Sequence, residues 1–384
     1  MNTDASIPFL TYLESIPDPR LNRTKRHALV DILFVAVCAV LCGANDCVAI
    51  ADFAKARIEW LRKFVKLANG APSHDTISRV LRIINPIAFE KAFIEWTNTI
   101  RSQTSGQTVP IDGKVLRGSF DKATGVKGID MVSAWGSGDG IVLGQVKTDE
   151  KSNEITAIPD LLKMLNIVGC LITIDAIGTQ KKIAKQIIEQ KADYLLAVKG
   201  NQSNLEQDLI EAFARHCGNR WMDGNADDVP HDYIETVDKS HGRTVTRRCW
   251  STSVLDGIIS ADEWTGLRTV VKFESDRDRN EQGKPTVRYY ITSLQPDSAN
   301  ILRAIRTHWQ IENKLHWVLD VNFKEDQNRT RKGFGAQIRS MLNRIAINLC
   351  KTNTTRNAAT SRKRNMASWD ASFLIELITN QIEH

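Results

Sequence analysis

The feature that most limits the fold is the order of strand and helix patterns between residues 107 and 198. In chain order these are strands 108–111, 131–135 and 140–148, helix 155–165, strand 170–175, helix 179–190 and strand 194–198. Gly138-Asp139-Gly140 is a hairpin signal, so the first strands should pair antiparallel. Strands separated by a helix favour parallel pairing. This order predicts an RNase H-like α/β domain.

Other segments of the chain have different patterns. Residues 1–105 predict an all-helical N-terminal domain, interpreted either as a DNA-binding module or as a cap on the next domain. Residues 204–297 predict a mainly β insertion, and the catalytic α/β domain, which starts at 106–203, resumes over 298–352. Residues 353–384 predict a loose basic linker, which would contact DNA, and a short C-terminal helix.

Composition restricts the class of protein. The 384 residues are 42% hydrophobic and 25% charged, which is typical of a soluble globular chain. A formal charge of +6 is compatible with a polyanionic partner without requiring one. The seven cysteines lack the spacing of a zinc site and predict reduced thiols in the cytoplasm. The apolar run 32–44 is too short to span a bilayer, and no signal peptide is evident, so we expect no membrane association.

A late helix carries an unusual polar face. At helical spacing His308, Glu312, His316 and Asp320 fall four apart, beside an apolar stripe. Asp112 and Asp175 each lie at the end of a predicted strand, and either alone is a weak signal. Together with Glu312 they predict three converging carboxylates, the ligand type that binds Mg²⁺ for phosphoryl transfer.

Five segments carry a resemblance to a known family. They are Ile111-Asp112-Gly113-Lys114, residues 150–154, residues 174–180, residues 193–202 and residues 308–321. The chain resembles bacterial insertion-sequence transposases of the DDE class, in particular the H-repeat-associated group. The resemblance extends from about residue 17 to residue 350.

The resemblance implies a function and a role for each matching position. Asp112, Asp175 and Glu312 would be the catalytic, metal-binding triad for Mg²⁺, with Mn²⁺ as a substitute and no small-molecule cofactor. The enzyme would cut transposon ends and join the freed 3′-OH to target DNA, as a homodimer on DNA in the bacterial cytoplasm or nucleoid. The implied DNA contacts are Lys114, Lys199, Arg243, Arg306, His308, Trp309 and Trp317.

Several alternatives stay open. Related groups place a tyrosine and an arginine before the glutamate and a lysine after it, where this chain has Ile305, His308 and Leu319. His308, Glu312 and His316 are also an alternative zinc or iron site on one helix. Glu325-Asp326 is an alternative source of the third carboxylate, or a solvated turn. The alternative functions are a DNA nuclease without strand transfer and an inactive DNA-binding relic.

Overall fold

The structure is a computed structural model that describes residues 7–101, 105–120, 128–148, 154–216, 230–240, 243–276 and 285–379. Its helices are α1 Pro8–Glu14, α2 Leu29–Leu41, α3 Cys47–Ala56, α4 Ile58–Leu61, α5 His74–Ile83, α6 Pro86–Ile100, α7 Glu154–Met164, α8 Lys181–Glu189, α9 Ser203–His216, α10 Ser298–His308, α11 Trp317–Asn322, α12 Gly335–Thr352, α13 Thr360–Trp369 and α14 Ala371–Thr379. A π-helical turn, Glu312–His316, precedes α11.

The strands of the described residues form one mixed sheet. They are β1 Thr108–Leu116, β2 Ile129–Gly136, β3 Ile141–Lys147, β4 Leu171–Ile174, β5 Asp193–Val198, β6 Asp232–Ser240, β7 Arg243–Thr252, β8 Thr269–Ser275 and β9 Thr286–Thr292. Their order is β3-β2-β1-β4-β5-β9-β8-β7-β6. β1 pairs antiparallel with β2 and parallel with β4, and β4 pairs parallel with β5. The chain is therefore a mixed α/β protein, as predicted.

The first strand is longer than its sequence pattern indicated. β1 was expected to end at Ile111, but it continues to Leu116, because its second half pairs with β2 from Asp112↔Ser133 to Leu116↔Ile129. Its parallel pairing with β4 does stop at Ile111↔Ile174. Asp112 is therefore a mid-strand residue that lies just beyond the end of the neighbouring strand.

The N-terminal helices pack on the α/β region. Asn85 caps the start of α6 by accepting from the Ile87 and Ala88 N–H groups, and Ser73 Oγ accepts from the Thr76 N–H at the start of α5. α6 and α12 both contact the edge strand β3. Glu90 on α6 accepts from the Gln145 N–H, and Asn348 on α12 pairs with both backbone groups of Val142. These side chains cover an edge that would otherwise expose unpaired backbone groups.

The four strands β6–β9 extend the main sheet instead of forming a separate one. β9 pairs antiparallel with β5, so the sheet continues from the α/β region into this segment. α10 packs across the sheet. It contacts β6 and β7 in the added strands and β1 and β4 in the α/β region. Ile301 and Ile305 on α10 pack with Val271 and Phe273 of β8 in a second buried cluster. The extended sheet thus supports the helix that leads to Glu312.

The prediction of a loose basic linker after residue 352 is wrong for residues 360–369. Residues 360–369 form α13, in which Lys363 and Arg364 are buried. Lys363 Nζ donates to the carbonyls of Cys350 and Asn353, near the end of α12. Arg364 donates to the carbonyls of Val40 and Asn322, near the ends of α2 and α11. Cations are favourable at helix C-termini, so these two charges stabilise the fold by neutralising the carbonyl ends of α2, α11 and α12.

Two expectations concern chemistry elsewhere in the chain. Cysteines 38, 42, 47, 170, 249 and 350 are free thiols, and Cys217 lies outside the described residues. Across the part of the chain that the structure describes, no helix has the length and apolar character to cross a membrane.

Candidate active site

Two of the predicted carboxylates lie at neighbouring positions where β1 extends beyond the end of β4. The two strands are in register at Ile111↔Ile174, so Asp112 and Asp175 occupy the next position along each. Asp175 Oδ1 accepts from the N–H of Ile177 at 3.1 Å, which fixes the turn after β4. Both side chains are half-buried. The site therefore lies at one end of the parallel part of the sheet.

The third carboxylate comes from the helix that crosses the sheet. Asp297 caps the start of α10 by accepting from the Asn300 N–H. The chain then enters the π-helical turn, whose i→i+5 hydrogen bond runs from the Trp317 N–H to the Glu312 carbonyl. Single π turns within helices are frequent at functional sites. The Glu312 side chain is 57% exposed and faces the site.

Asp112 and Glu312 are brought together with His316. The His316 Nδ1 lies 3.5 Å from Asp112 Oδ2 and 3.4 Å from Glu312 Oε2. One ligand atom from each of the three residues lies within 4.8 Å of the others. The structure thus adds a buried imidazole to Asp112 and Glu312. Asp175, one residue beyond β4, is not among these three residues, but its charge adds to the rise in the pKa of Asp112 that burial causes.

A fourth carboxylate near the site, Glu154, was not predicted from the sequence as a site residue. It begins α7, and its side chain lies directly on Gly113: a Cβ built on that glycine would be 2.0 Å from Glu154 Oε1. Burial is the main reason that the pKa of Glu154 is raised to about 7, and the charges of Asp175 and Asp112 add to this rise. Its position within a family-like segment was a signal, but only the fold shows that it packs on Gly113, the residue after Asp112.

The electrostatics of the site favour a bound cation. Burial raises the pKa of Asp112 to about 6; His316 opposes this shift, whereas Glu312 and Asp175 add to it. The pKa of Glu312 is lowered, chiefly by the neighbouring His316. Carboxylate oxygens with one imidazole nitrogen suit a divalent metal. The residues present therefore fit the divalent ion that this chemistry requires.

His308 is not part of this cluster. Its Nδ1 is 3.0 Å from the Thr173 Oγ1 on β4. Burial lowers the pKa of His308 to about 4, so the imidazole is neutral at physiological pH and cannot serve as a cationic substitute for arginine. The alternative zinc or iron site from His308, Glu312 and His316 is consequently not assembled here.

Lys114 does not occupy the predicted phosphate-binding position. It is buried, and its Nζ lies 2.6 Å from Asp320 Oδ1 and 3.0 Å from Asp326 Oδ1. These two carboxylates already neutralise it, so the prediction of a DNA contact is corrected to an internal ion pair. Glu325 is also committed within the protein, because it pairs with the fully buried Arg344 at 3.0 Å. It is neither a solvated turn residue nor a third metal ligand.

A cationic groove leads away from Glu312. A cavity of about 340 Å³ is lined by Arg247, Arg288, Arg306 and Trp309 together with Glu312. The Arg288 guanidinium lies 4.7 Å from the centre of the Trp309 ring, a cation–π contact. A smaller cavity of about 70 Å³ connects Trp309 and Arg288 with Asp175 and the exposed Lys199. Predicted contacts Arg306, Trp309 and Lys199 thus line one surface.

Other predicted positions are distributed differently. Trp317 is 56% exposed and Trp309 is 46% exposed, so core packing does not account for either. Arg306 is paired with Asp238 at 3.0 Å. The side chain of Arg243 lies outside the described residues. Ile305 and Leu319, where related groups have polar residues, are buried in the core.

Comparison with known proteins identifies the class. The family model "Transposase DDE domain" matches residues 103–349, and the model "DDE_Tnp_1-associated" matches residues 10–97. The first match covers more than half of the chain and includes Asp112, Asp175 and Glu312. The chain belongs to the DDE transposase family.

Relatives of similar length support this assignment. The chain is 42% identical to "Putative transposase YncI" of Escherichia coli O157:H7, covering 97% of this chain and 94% of that protein. It is 38% identical to "H repeat-associated putative transposase YhhI" of Escherichia coli K12, over 96% and 97% respectively. The chain also aligns over its whole length with 84% of a chain from a piggyBac transposase synaptic complex with hairpin DNA, at 12% identity and a TM-score of 0.38, which is too low to bear on the assignment.

Proposed function

We propose that this protein is a DNA transposase that cuts the ends of a mobile element and joins the 3′-OH to target DNA. The observation that carries the proposal is that Glu312 lies close to Asp112, which follows the same β1–β4 pair as Asp175, in a member of the DDE family. The strand order β3-β2-β1-β4-β5 and its mixed pairing support an RNase H-like catalytic domain.

The proposed roles follow from position and charge. Asp112, Asp175 and Glu312 hold the divalent ions, for which Mg²⁺ and Mn²⁺ are the candidates. These ions, when bound, supply the charge that activates the attacking oxygen and stabilises the leaving oxygen. Glu154 packs on Gly113 and keeps Asp112 in a crowded anionic environment.

The cationic groove is the proposed path of the DNA strand. Arg288 and Arg306 offer guanidinium groups to backbone phosphates, and Lys199 offers an ammonium group beside Asp175. The exposed Trp309, with Arg288 over its ring, offers an aromatic face for a base. The groove opens beside Glu312, so a strand that follows it passes the carboxylates.

We assign residues 106–203 and 298–352 to the catalytic domain, 204–297 to its insertion and 1–105 to the N-terminal domain. Transposition brings two element ends together, so a homodimer on DNA fits the proposal. Light scattering of the protein alone and with end DNA will show whether the mass doubles on binding.

One assay separates the three candidate functions. Labelled duplexes that carry the ends of the surrounding element are incubated with the full chain, Mg²⁺ and a target plasmid. Label joined to the plasmid supports the transposase. Cleaved label without joining supports a nuclease, and retained but intact label supports a DNA-binding relic. Either of the last two outcomes contradicts the proposal.

A further inference from the structure

The imidazole of His316 occupies an unusual place for a buried histidine. It is 4% exposed, on the π-helical turn that also carries Glu312. Its Nε2 is buried without a hydrogen-bond partner in the described structure. Buried polar atoms in native proteins are generally hydrogen-bonded, so a buried imidazole with an unpartnered nitrogen needs an explanation. Ordinary core packing therefore does not explain this side chain.

The other nitrogen faces two carboxylates that come from different elements. His316 Nδ1 lies 3.5 Å from an Asp112 oxygen on β1 and 3.4 Å from a Glu312 oxygen. Well-formed N–H···O hydrogen bonds are about 2.7–3.2 Å long, so both contacts are too long to be good ones. Ligand atoms that share one ion lie about 3 Å apart at right angles, because each bond is about 2.1 Å. The observed 3.4 Å and 3.5 Å are slightly wider than this, and one ligand atom from each of the three residues lies within 4.8 Å of the others, which is close enough for a shared ion.

We propose that His316 Nδ1 is a direct ligand of the divalent ion held between Asp112 and Glu312. The inference rests on the proposed function for the existence of that ion, and it adds a nitrogen ligand to the carboxylates. Imidazole binds transition metals in preference to Mg²⁺, whose usual ligands are oxygen atoms. His316 would therefore make this ion position select Mn²⁺ over Mg²⁺.

The π-helical turn gives this ligand pair its geometry. Glu312 and His316 belong to the same turn, yet Glu312 is exposed whereas His316 is buried against Asp112. The turn thus presents an oxygen from the solvent side and a nitrogen from the protein side. His308 provides a matched control, since it lies on the preceding helix and contacts Thr173 instead of the carboxylates.

Mn²⁺ binding to the full-length protein tests the inference without an activity measurement. Pulsed electron paramagnetic resonance of bound Mn²⁺ should show coupling to a ¹⁴N nucleus in the wild type and in His308→Gln. The coupling should disappear in His316→Gln, and Mn²⁺ affinity should fall by about tenfold or more while Mg²⁺ affinity changes much less. Thermal unfolding of His316→Gln without metal checks that the variant is folded.

The outcomes distinguish the ligand from the site itself. Mn²⁺ that binds the wild type without nitrogen coupling overturns the role of His316 and leaves the carboxylate site standing. Coupling that persists in His316→Gln also overturns it. If the wild type binds no Mn²⁺, or if Asp112→Asn and Glu312→Gln bind it unchanged, both this inference and the proposed metal-dependent function are contradicted.

Discussion

Asp112 and Asp175 occupy equivalent places on neighbouring parallel strands, one residue beyond the last pair, Ile111↔Ile174. β4 ends there, whereas β1 continues against β2. Asp112 is thereby held on a rigid strand, and Asp175 on a turn that its own carboxylate stabilises by accepting from the Ile177 N–H. Sites built on such supported positions hold their geometry better than sites on free loops.

Gly113 is predicted to support catalysis because the Glu154 carboxylate fills the space of its missing side chain. In Gly113→Ala the new Cβ would lie 2.0 Å from Glu154 Oε1, so the Glu154 carboxylate must leave its place beside Gly113. We expect DNA cleavage to fall by about tenfold or more, since small displacements in an active site are costly. Gly200→Ala is the matched control, because a Cβ there meets nothing within 4 Å. Equal cleavage by the two variants would refute a positional role for Glu154.

Removing the Lys114 side chain should lower stability, whereas removing the Lys199 side chain should lower DNA affinity. Lys114→Ala leaves Asp320 and Asp326 without their buried cation, so we expect the free energy of unfolding to fall by about 2 kcal/mol or more. Lys199→Ala removes an exposed group, so stability should hold while DNA affinity weakens. Urea unfolding and DNA titration measure both effects. A stable Lys114→Ala with impaired DNA binding would restore the original phosphate-contact prediction.

Asp238 is predicted to weaken DNA binding in the groove. Its carboxylate lies 2.5 Å from Arg247 and 3.0 Å from Arg306, so it neutralises two of the arginines that line the cavity. Asp238→Asn should raise DNA affinity by about threefold or more and steepen its salt dependence by about one phosphate contact.

Glu235→Gln removes a charge from the same strand and is the control for that change. Glu235 pairs with Arg248, which is not among the residues that line the cavity. Affinity that stays constant in Asp238→Asn, or that rises equally in Glu235→Gln, would show that the groove arginines do not contact DNA.

Glu90 should make folding stability depend on pH. Burial raises its pKa to about 8, although the Gln145 N–H donor and Arg344 oppose the shift. Between about 4.5 and 8 the unfolded chain loses this proton while the folded chain keeps it. Stability should therefore fall as pH rises, by at most about 1.4 kcal/mol per unit, and the contribution should level off above pH 8.

Glu90→Gln keeps an acceptor for the Gln145 N–H and cannot ionise, so its unfolding free energy should depend less on pH. Glu95→Gln, an exposed position on the same helix, is the control. Urea unfolding at pH 5, 6, 7 and 8 measures the difference from wild type. Parallel pH profiles for wild type and Glu90→Gln would mean that Glu90 is ionised in the folded protein.

Local patterns were sufficient for much of the fold. The turn at Gly138-Asp139-Gly140 predicted antiparallel pairing of the first strands, and the intervening helices predicted the parallel pairing of β4 with β5. Strand pairing over long distances was harder to infer. Nothing in the alternation of β9 reveals that it pairs with β5, because any half-buried strand shows a similar pattern.

The main limit on predicting the site from the sequence was that side-chain partners come from distant parts of the chain. Lys114 looked available because Asp320 and Asp326, more than 200 residues away, are not neighbours in sequence. Glu154 packs beside Asp112 on the backbone of Gly113 only because Gly113 has no side chain. Arg364 resembled a linker charge until α13 placed it over the carbonyl of Val40. Each of these depends on tertiary contacts that periodicity does not contain.

The most direct test of the central claim compares strand transfer by carboxylate variants in Mg²⁺. Asp112→Asn, Asp175→Asn and Glu312→Gln preserve size and hydrogen-bond acceptors, and Asp262→Asn changes an exposed carboxylate as the control. We expect the three site variants to bind end DNA and to lose cleavage and joining by about a hundredfold or more, with Asp262→Asn unaffected. Full strand transfer by any one of the three would contradict the assignment of the triad.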